Sequence, residues 1–180
     1  MDAIDCFALY GTVNWEMGDV QKYVSAMSLV FKYLNIPATH YGYCEEPLQK
    51  YGPHIGSIRN VQKKICSLYS NGLRLKTLEF FSLPKGYGFQ YSDYRAYFAR
   101  GVDYLVLAYD IDTCNPFSSD ALIAEMRKHI SAIWGEHFLI RKGEQPLTYC
   151  MGQFESNPRG ENLEHDFYIQ SVHVIEQFKL

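Results

Sequence analysis

The chain has 180 residues, of which 47% are hydrophobic, 21% charged and 16% aromatic. This is the balance of an ordinary globular chain, and a chain of this length buries a sizeable core, which predicts one domain over residues 1–180. The formal net charge is −3 and the sequence has no basic stripe, so nucleic-acid binding is not expected.

The sequence predicts neither a membrane anchor nor an export signal. Residues 1–5 carry two acids where a signal peptide begins with basic residues. No apolar run approaches the roughly 18 residues that span a bilayer. The five cysteines are odd in number and widely spaced, which predicts free thiols. These features together predict a cytoplasmic protein.

The first half of the chain alternates between strand-like and helix-like patterns. From Val20 onward, apolar residues recur at three- and four-residue spacing, which predicts a helix that ends before Pro37. The apolar positions over residues 55–69 predict a second helix, and the Asn-Gly pair that follows is a typical terminator. Alternating apolar and aromatic side chains predict strands at residues 6–13, 39–44 and 75–83.

The second half contains the most apolar run, residues 102–109, which predicts a central strand. Ser119 is a candidate N-cap of a third helix, whose apolar stripe runs to Trp134 and which Gly135 would end. The remaining segments are less regular. Residues 138–141 and 147–154 resemble the two strands of a hairpin. Residues 89–100 fit a short helix or an ordered loop, and residues 167–178 fit a strand or a helix.

These elements place the chain in the α/β (α+β) class. The expected architecture is a mixed, mostly antiparallel sheet with about three helices packed on it. The two halves also echo each other, because a strand–helix–strand order ending in Gly-Tyr-Cys at 42–44 recurs around Thr-Tyr-Cys at 148–150. The echo suggests a duplication of strand–helix–strand halves.

The most distinctive segment is the aromatic-rich stretch 84–100. Its glycines Gly86 and Gly88 lack both phosphate-binding fingerprints and are typical of a turn. Mixtures of Tyr and Arg are typical of interface hot spots, because a Tyr ring gives a large contact area at low entropic cost. The alternative is that these rings pack on a half-buried sheet face. The residues predicted to bind a partner are Tyr87, Phe89, Tyr91, Asp93, Tyr94 and Arg95.

Two pairs of residues offer an alternative, enzymatic interpretation as a small hydrolase or transferase. Asp110 and Asp112 follow the predicted central strand, where α/β enzymes often hold carboxylates. His165 and Asp166 combine an imidazole with an acid, the minimum for general acid–base catalysis. The simpler interpretations are a turn after the strand and a solvated loop.

The remaining reactive residues form incomplete patterns. His40 and Cys44 are zinc-type ligands, but residues four apart on a strand are distant from each other, and no second pair completes a site. Cys114 could act as a nucleophile only with a base far along the chain, such as His129 or His165. No metal and no cofactor is therefore expected.

A resemblance to a known family rests on three segments. They are Leu-Glu-Phe-Phe-Ser-Leu-Pro at 78–84, Tyr-Ser-Asp-Tyr at 91–94 and the strand at 103–110. Together they resemble small cytoplasmic immunity proteins of bacterial polymorphic-toxin and contact-dependent secretion systems. The resemblance implies a dedicated inhibitor that binds one effector toxin and performs no chemistry itself. It transfers no individual functional residue, and a homo-oligomeric structural protein is the remaining interpretation.

Overall fold

A computed structural model describes residues 3–13, 16–46, 54–85, 94–114, 119–144, 146–150 and 172–179. These residues form one α+β domain around an eight-stranded sheet, and every described strand pair is antiparallel. The predicted fold class is therefore confirmed.

The regular elements follow one another along the whole described chain. The strands are β1 (Ala3–Thr12), β2 (His40–Glu46), β3 (His54–Ser57), β4 (Arg74–Ser82), β5 (Ala96–Arg100), β6 (Tyr104–Asp110), β7 (Ser131–Arg141) and β8 (His173–Lys179). The helices are α1 (Met17–Tyr33), α2 (Val61–Ser70), α3 (Ser119–Met126) and the short α4 (Pro146–Cys150), with 3-10 turns at Ile58–Asn60 and Arg127–His129.

The strands lie in the order β3-β2-β4-β5-β6-β1-β7-β8. Strands β1 and β6 are neighbours inside this order, and nearly all their residues are buried because both sheet faces are covered there. Strands β4, β6 and β7 finish at one end of the sheet. Strands β1 and β5 begin at that same end. We call this end the Asp110 end.

One face of the sheet packs against α1, α2 and α3. Alternate residues of the strands, such as Leu9 and Leu107, point to these helices and are 0% exposed. The helices contribute apolar stripes at helical spacing, which explains why each lies with one side on the sheet. The buried helix residues of this core are Val20, Tyr23, Val24, Met27, Val30 and Phe31 from α1, Val61, Ile65 and Leu68 from α2, and Leu122 and Met126 from α3.

The second face carries a separate core. Small residues such as Ala8 and Ala108 alternate along the central strands, and α4 packs near β6 with its Cys150 fully buried. Small side chains permit this close approach of a helix to the sheet. The other buried residues of this core include Ile4, Cys6, Tyr10, Phe81, Tyr94, Tyr97, Tyr104, Val106, Phe138 and Ile140.

The helix predicted over residues 55–69 is wrong at its beginning. Residues His54–Ser57 form β3 and pair with β2, and α2 begins only at Val61. A Cβ on Gly56 would lie 2.7 Å from a ring carbon of Tyr41, so this glycine allows the ring to cover β3. A glycine within the apolar stripe is the signal against a helix there.

The third predicted helix is too long. Helix α3 ends at Met126, and Ile133 and Trp134 lie in β7, where Trp134 stacks on Tyr10 with ring centroids 4.1 Å apart. Their spacing imitates a helical stripe, but β-branched and aromatic residues favour a strand.

Residues 147–150 were expected in a strand and instead belong to α4. Pro146 occupies the first helical position, where its missing N–H costs nothing. Residues 151–154 of that expected strand lie outside the described residues. Residues 89–100 were predicted to form a short helix or an ordered loop. The structure instead has strand β5 at Ala96–Arg100.

The suggested duplication is not seen in the described fold. Helix α1 connects β1 to β2, which have three strands between them, whereas α3 connects β6 to β7, which have only β1 between them. The Thr-Tyr-Cys at 148–150 is helical, whereas Gly-Tyr-Cys at 42–44 lies on β2. In the described ranges no helix is both long and apolar enough to cross a membrane.

Candidate partner-binding site

The aromatic-rich segment lies in the connection between β4 and β5. Ser82 pairs with Ala96 at the last rung of this hairpin, so thirteen residues, 83–95, join the two strands. The Leu83 N–H donates to Thr39 Oγ1 at 3.0 Å, and the Arg95 N–H donates to the Ser82 carbonyl at 2.8 Å. Both ends of the connection are therefore held by hydrogen bonds at the Asp110 end.

Tyr94 is a packing residue of the second face. It is 2% exposed, and its ring lies 5.4 Å from the Tyr97 ring, centroid to centroid. Its hydroxyl donates to the Glu144 carbonyl at 3.0 Å, and burial raises the pKa of this phenol. Among the predicted partner-binding residues, Tyr94 thus fits the packing alternative, and it ties the connection to the turn after β7.

Arg95 has a fixed backbone and a partly exposed side chain. Its carbonyl accepts the Asp110 N–H at 2.9 Å and the Cys114 thiol at 3.3 Å. The other predicted partner-binding residues, Tyr87, Phe89, Tyr91 and Asp93, lie outside the described residues, as do both glycines at 86 and 88.

The pair Asp110 and Asp112 does not converge on a common point. Asp110 is 1% exposed, and its carboxylate accepts the Asp112 N–H at 3.0 Å and the Lys142 ammonium at 2.5 Å. The side chain of Asp112 is exposed. Asp110 therefore closes the turn after β6 and attaches the turn after β7. His165 and Asp166 lie outside the described residues.

Cys114 and His129 stand apart. Cys114 lies in the turn after β6, at the Asp110 end. His129 lies in the 3-10 turn after α3, next to Glu125 and Tyr23. Burial raises the pKa of the Cys114 thiol, which disfavours the nucleophilic thiolate. Burial also lowers the pKa of His129, with nearby Arg100 adding to the effect.

His40 and Cys44 are also separated on β2. His40 Nδ1 lies 2.9 Å from Thr39 Oγ1, and the Cys44 N–H donates to Thr77 Oγ1 at 3.2 Å. Within the described ranges, no three His, Cys, Asp or Glu side chains are grouped so that they could hold a metal ion. All five cysteines are free thiols.

A polar array that sequence patterns did not reveal crosses three central strands. Asp5 accepts the Tyr109 hydroxyl at 2.7 Å, and its other carboxylate oxygen lies 2.5 Å from His137 Nε2. The His137 ring stacks on Phe7 with centroids 4.2 Å apart and remains 24% exposed. The three polar residues are 28 to 132 positions apart in the chain, so only the strand pairing β6-β1-β7 brings them together.

Two further carboxylates, in addition to Asp110, are buried on the second face. Glu136 is 0% exposed and accepts hydrogen bonds from the Tyr10 hydroxyl at 2.7 Å and the Tyr149 hydroxyl at 3.3 Å. Glu79 accepts the Tyr97 hydroxyl at 3.1 Å, and burial raises its pKa to about 7. Glu79 and Glu136 lie on one row across the sheet but have three strands between them, roughly 19 Å of sheet width at the usual strand spacing, too far apart to act as a catalytic pair.

Comparison of the chain with protein-family models, with curated proteins and with solved structures found no match.

Proposed function

We propose that the protein is a protein-binding module, an immunity protein that binds and neutralises a cognate bacterial effector toxin in the cytoplasm. The contact surface in this proposal is the β4–β5 connection at the Asp110 end. The observation that carries it is the length and anchoring of this connection, thirteen residues held by hydrogen bonds at both ends.

A hairpin connection is ordinarily two to five residues long, and much longer loops in compact domains are usually functional. Four of the thirteen residues in this connection are aromatic: Tyr94 packs on the second face, and Tyr87, Phe89 and Tyr91 are the candidates for contact with a partner. A rigid sheet that presents an aromatic loop is a common arrangement for binding another protein.

The described polar residues also support a binding role. The carboxylates of Asp110, Glu79 and Glu136 each accept hydrogen bonds within the chain, which stabilises the fold. Asp110 and Asp112, one of the two pairs of the enzymatic alternative, are separated by burial, since one is enclosed and the other exposed. We therefore favour inhibition by binding over catalysis.

The proposal is tested by co-expression in bacteria with the product of the adjacent gene. We expect that product to arrest growth alone, and the chain to restore growth and to co-purify with it. A matched control expresses the adjacent product with a variant in which Tyr87 and Tyr91 are both alanine, which should restore growth less well. Growth arrest that the chain leaves unchanged, with no co-purification, would rule out this function for that gene pair.

A further inference from the structure

The charges of this chain are unevenly distributed along its length. Residues 20–44 and 47–78 hold eight of its seventeen Lys and Arg residues and none of its twenty Asp and Glu residues. In the described part of these segments, β2, β3 and β4 lie at one edge of the sheet, with α2 and the end of α1 beside them. This side of the molecule therefore carries an excess of positive charge, although the net charge of the chain is −3.

An open groove lies on this positive side, between the end of α1 and the 3-10 turn before α2. Its volume is about 530 Å³, and most of its lining is apolar. Phe31 and Ile36 are buried lining residues, whereas Pro37 and Ile58 leave apolar surface accessible. The backbone around the groove is fixed, because the Ile36 N–H donates to the Phe31 carbonyl at 3.1 Å and the Ile58 N–H donates to the Thr39 carbonyl at 3.0 Å.

Exposed cations surround this groove. Lys32 lines it, Arg59 follows its lining residue Ile58, and Lys63 and Lys64 come next in the first turn of α2; all four cations are exposed. Among the described residues, no carboxylate oxygen lies within 4.0 Å of the charged group of Lys32 or Arg59. Charges of one sign that have no acid between them attract an acidic partner and steer its approach.

The groove also adjoins the proposed contact surface. Strand β2 begins and β3 finishes at the Asp110 end, where β4 also finishes. Thr39 joins the two surfaces directly, because its hydroxyl accepts the N–H of Leu83, the first residue of the β4–β5 connection, at 3.0 Å and its carbonyl accepts the N–H of Ile58. One bound protein can therefore contact the connection and the groove together.

We propose that the groove receives an acidic segment of the bound toxin; this inference rests on the proposed function. An apolar side chain of that segment enters the groove, and Asp or Glu residues beside it pair with Lys32 and Arg59. Burial of the apolar side chain contributes affinity, whereas exposed charge pairs mainly raise the association rate and orient the segment. A nucleic-acid backbone matches the charges but offers no apolar side chain to the groove, so the lining favours a protein segment.

The test measures affinity and association rate for the purified product of the adjacent gene. The double variant Lys32→Glu/Arg59→Glu should bind roughly 10- to 100-fold more weakly, mainly through slower association, and this loss should shrink at high salt, which screens exposed charges. Ile58→Ala should weaken binding by about 3- to 10-fold at low and at high salt, because it removes apolar contact rather than charge.

The matched control is the double variant Lys76→Glu/Arg127→Glu. It makes the same change of net charge, but both residues are exposed and lie at the opposite end of the sheet, near the beginnings of β4 and β7. Its affinity for the product should stay close to that of the wild type. Circular dichroism shows that each variant is folded before binding is measured.

An equal loss of affinity in the two double variants would show that net charge alone matters and would overturn the inference, as would unchanged affinity of Ile58→Ala. Both results leave the proposed function standing, because the wild-type chain still binds. Failure of the wild-type chain to bind the product would remove both.

Two other occupants of the groove are tested with the isolated chain. Binding of a short DNA duplex that Lys32→Glu/Arg59→Glu abolishes would assign the groove to phosphate groups. Self-association in sedimentation that the same variant abolishes would assign it to a second copy of the chain. We expect neither, and either result would overturn the inference.

Discussion

Tyrosine hydroxyls donate to three buried or half-buried acids in the described part of the chain. Tyr10 and Tyr149 donate to Glu136, Tyr97 donates to Glu79, and Tyr109 donates to Asp5. A buried carboxylate without such donors would be strongly destabilising. Part of the aromatic excess, fifteen Tyr in all, therefore serves internal polar pairing, and other rings, such as those of Tyr23 and Tyr104, are buried in the two cores and are not available to a partner.

The buried Glu79 makes stability depend on pH. Burial raises its pKa from 4.5 to about 7 in the folded chain, so the folded state binds this proton more tightly than the unfolded state. The free energy of unfolding should therefore fall as pH rises from about 4.5 to above 7, by an amount on the order of 3 kcal/mol.

The variant Glu79→Gln isolates this effect because glutamine has no charged form. Its free energy of unfolding, measured by urea titration relative to the wild type, should rise between pH 5 and pH 8. A difference that stays constant over this range would contradict the raised pKa. Comparison of the two chains at each pH cancels contributions from other groups, such as His129.

Tyr94 should contribute to stability through both its ring and its hydroxyl. Tyr94→Ala removes a buried ring and should lower the free energy of unfolding by about 3–5 kcal/mol. Tyr94→Phe removes only the bond to the Glu144 carbonyl and should cost about 1 kcal/mol. Urea unfolding monitored by circular dichroism measures both, and an unaffected Tyr94→Ala chain would show that the ring lies outside the core.

At the level of elements, the close approach of β1 to the beginning of β7 depends on one glycine. The register shifts between Tyr10 and Gly11, and a Cβ on Gly11 would lie 2.1 Å from the Ser131 carbonyl oxygen. Backbone cannot move aside as a flexible side chain does. This irregularity therefore fixes where β7 begins along β1.

Gly11→Ala should strongly destabilise the fold, by more than about 2 kcal/mol, because β1 and β7 must separate locally. The matched control is Gly18→Ala in the first turn of α1, where, apart from its chain neighbours and the helix backbone, no atom of the described residues lies within 4 Å of the new Cβ. This control should be neutral or stabilising, since alanine is the better helix former. Thermal unfolding of the two variants compares them directly, and equal midpoints would contradict the close approach.

The elements that sequence patterns predicted well are those with one dominant period. β1, α1 and β4 lie close to their predicted positions because alternating or helical spacing of apolar residues reflects which side is buried, and β6 does so because a short continuous apolar run is typical of a strand buried on both faces. β3 and the beginning of β7 were missed because their apolar spacing also fits a helix, and only the partner strand decides. β5 gave no clear pattern, since it has only five residues, all of them buried, and one of these is the charged Arg100.

At the scale of the whole molecule, the strand order brings distant segments to one end of the sheet. The β4–β5 connection, the turn after β6 and the turn after β7 meet at the Asp110 end, linked through Arg95, Asp110 and Lys142. Sequence composition predicted the aromatic segment but not this meeting. Side-chain pairs such as Lys142 with Asp110 or His137 with Asp5 join residues far apart in the chain, so they depend on topology that no local pattern contains.

The most direct test of this account is calorimetric titration of the purified product of the adjacent gene, the proposed toxin, with the wild-type chain and with Tyr87→Ala and Tyr91→Ala. Each substitution should weaken binding by about 1–3 kcal/mol while leaving the midpoint of unfolding unchanged. Unchanged affinity together with lower stability would show instead that these rings pack within the chain, and would contradict the proposal that the β4–β5 connection is the contact surface.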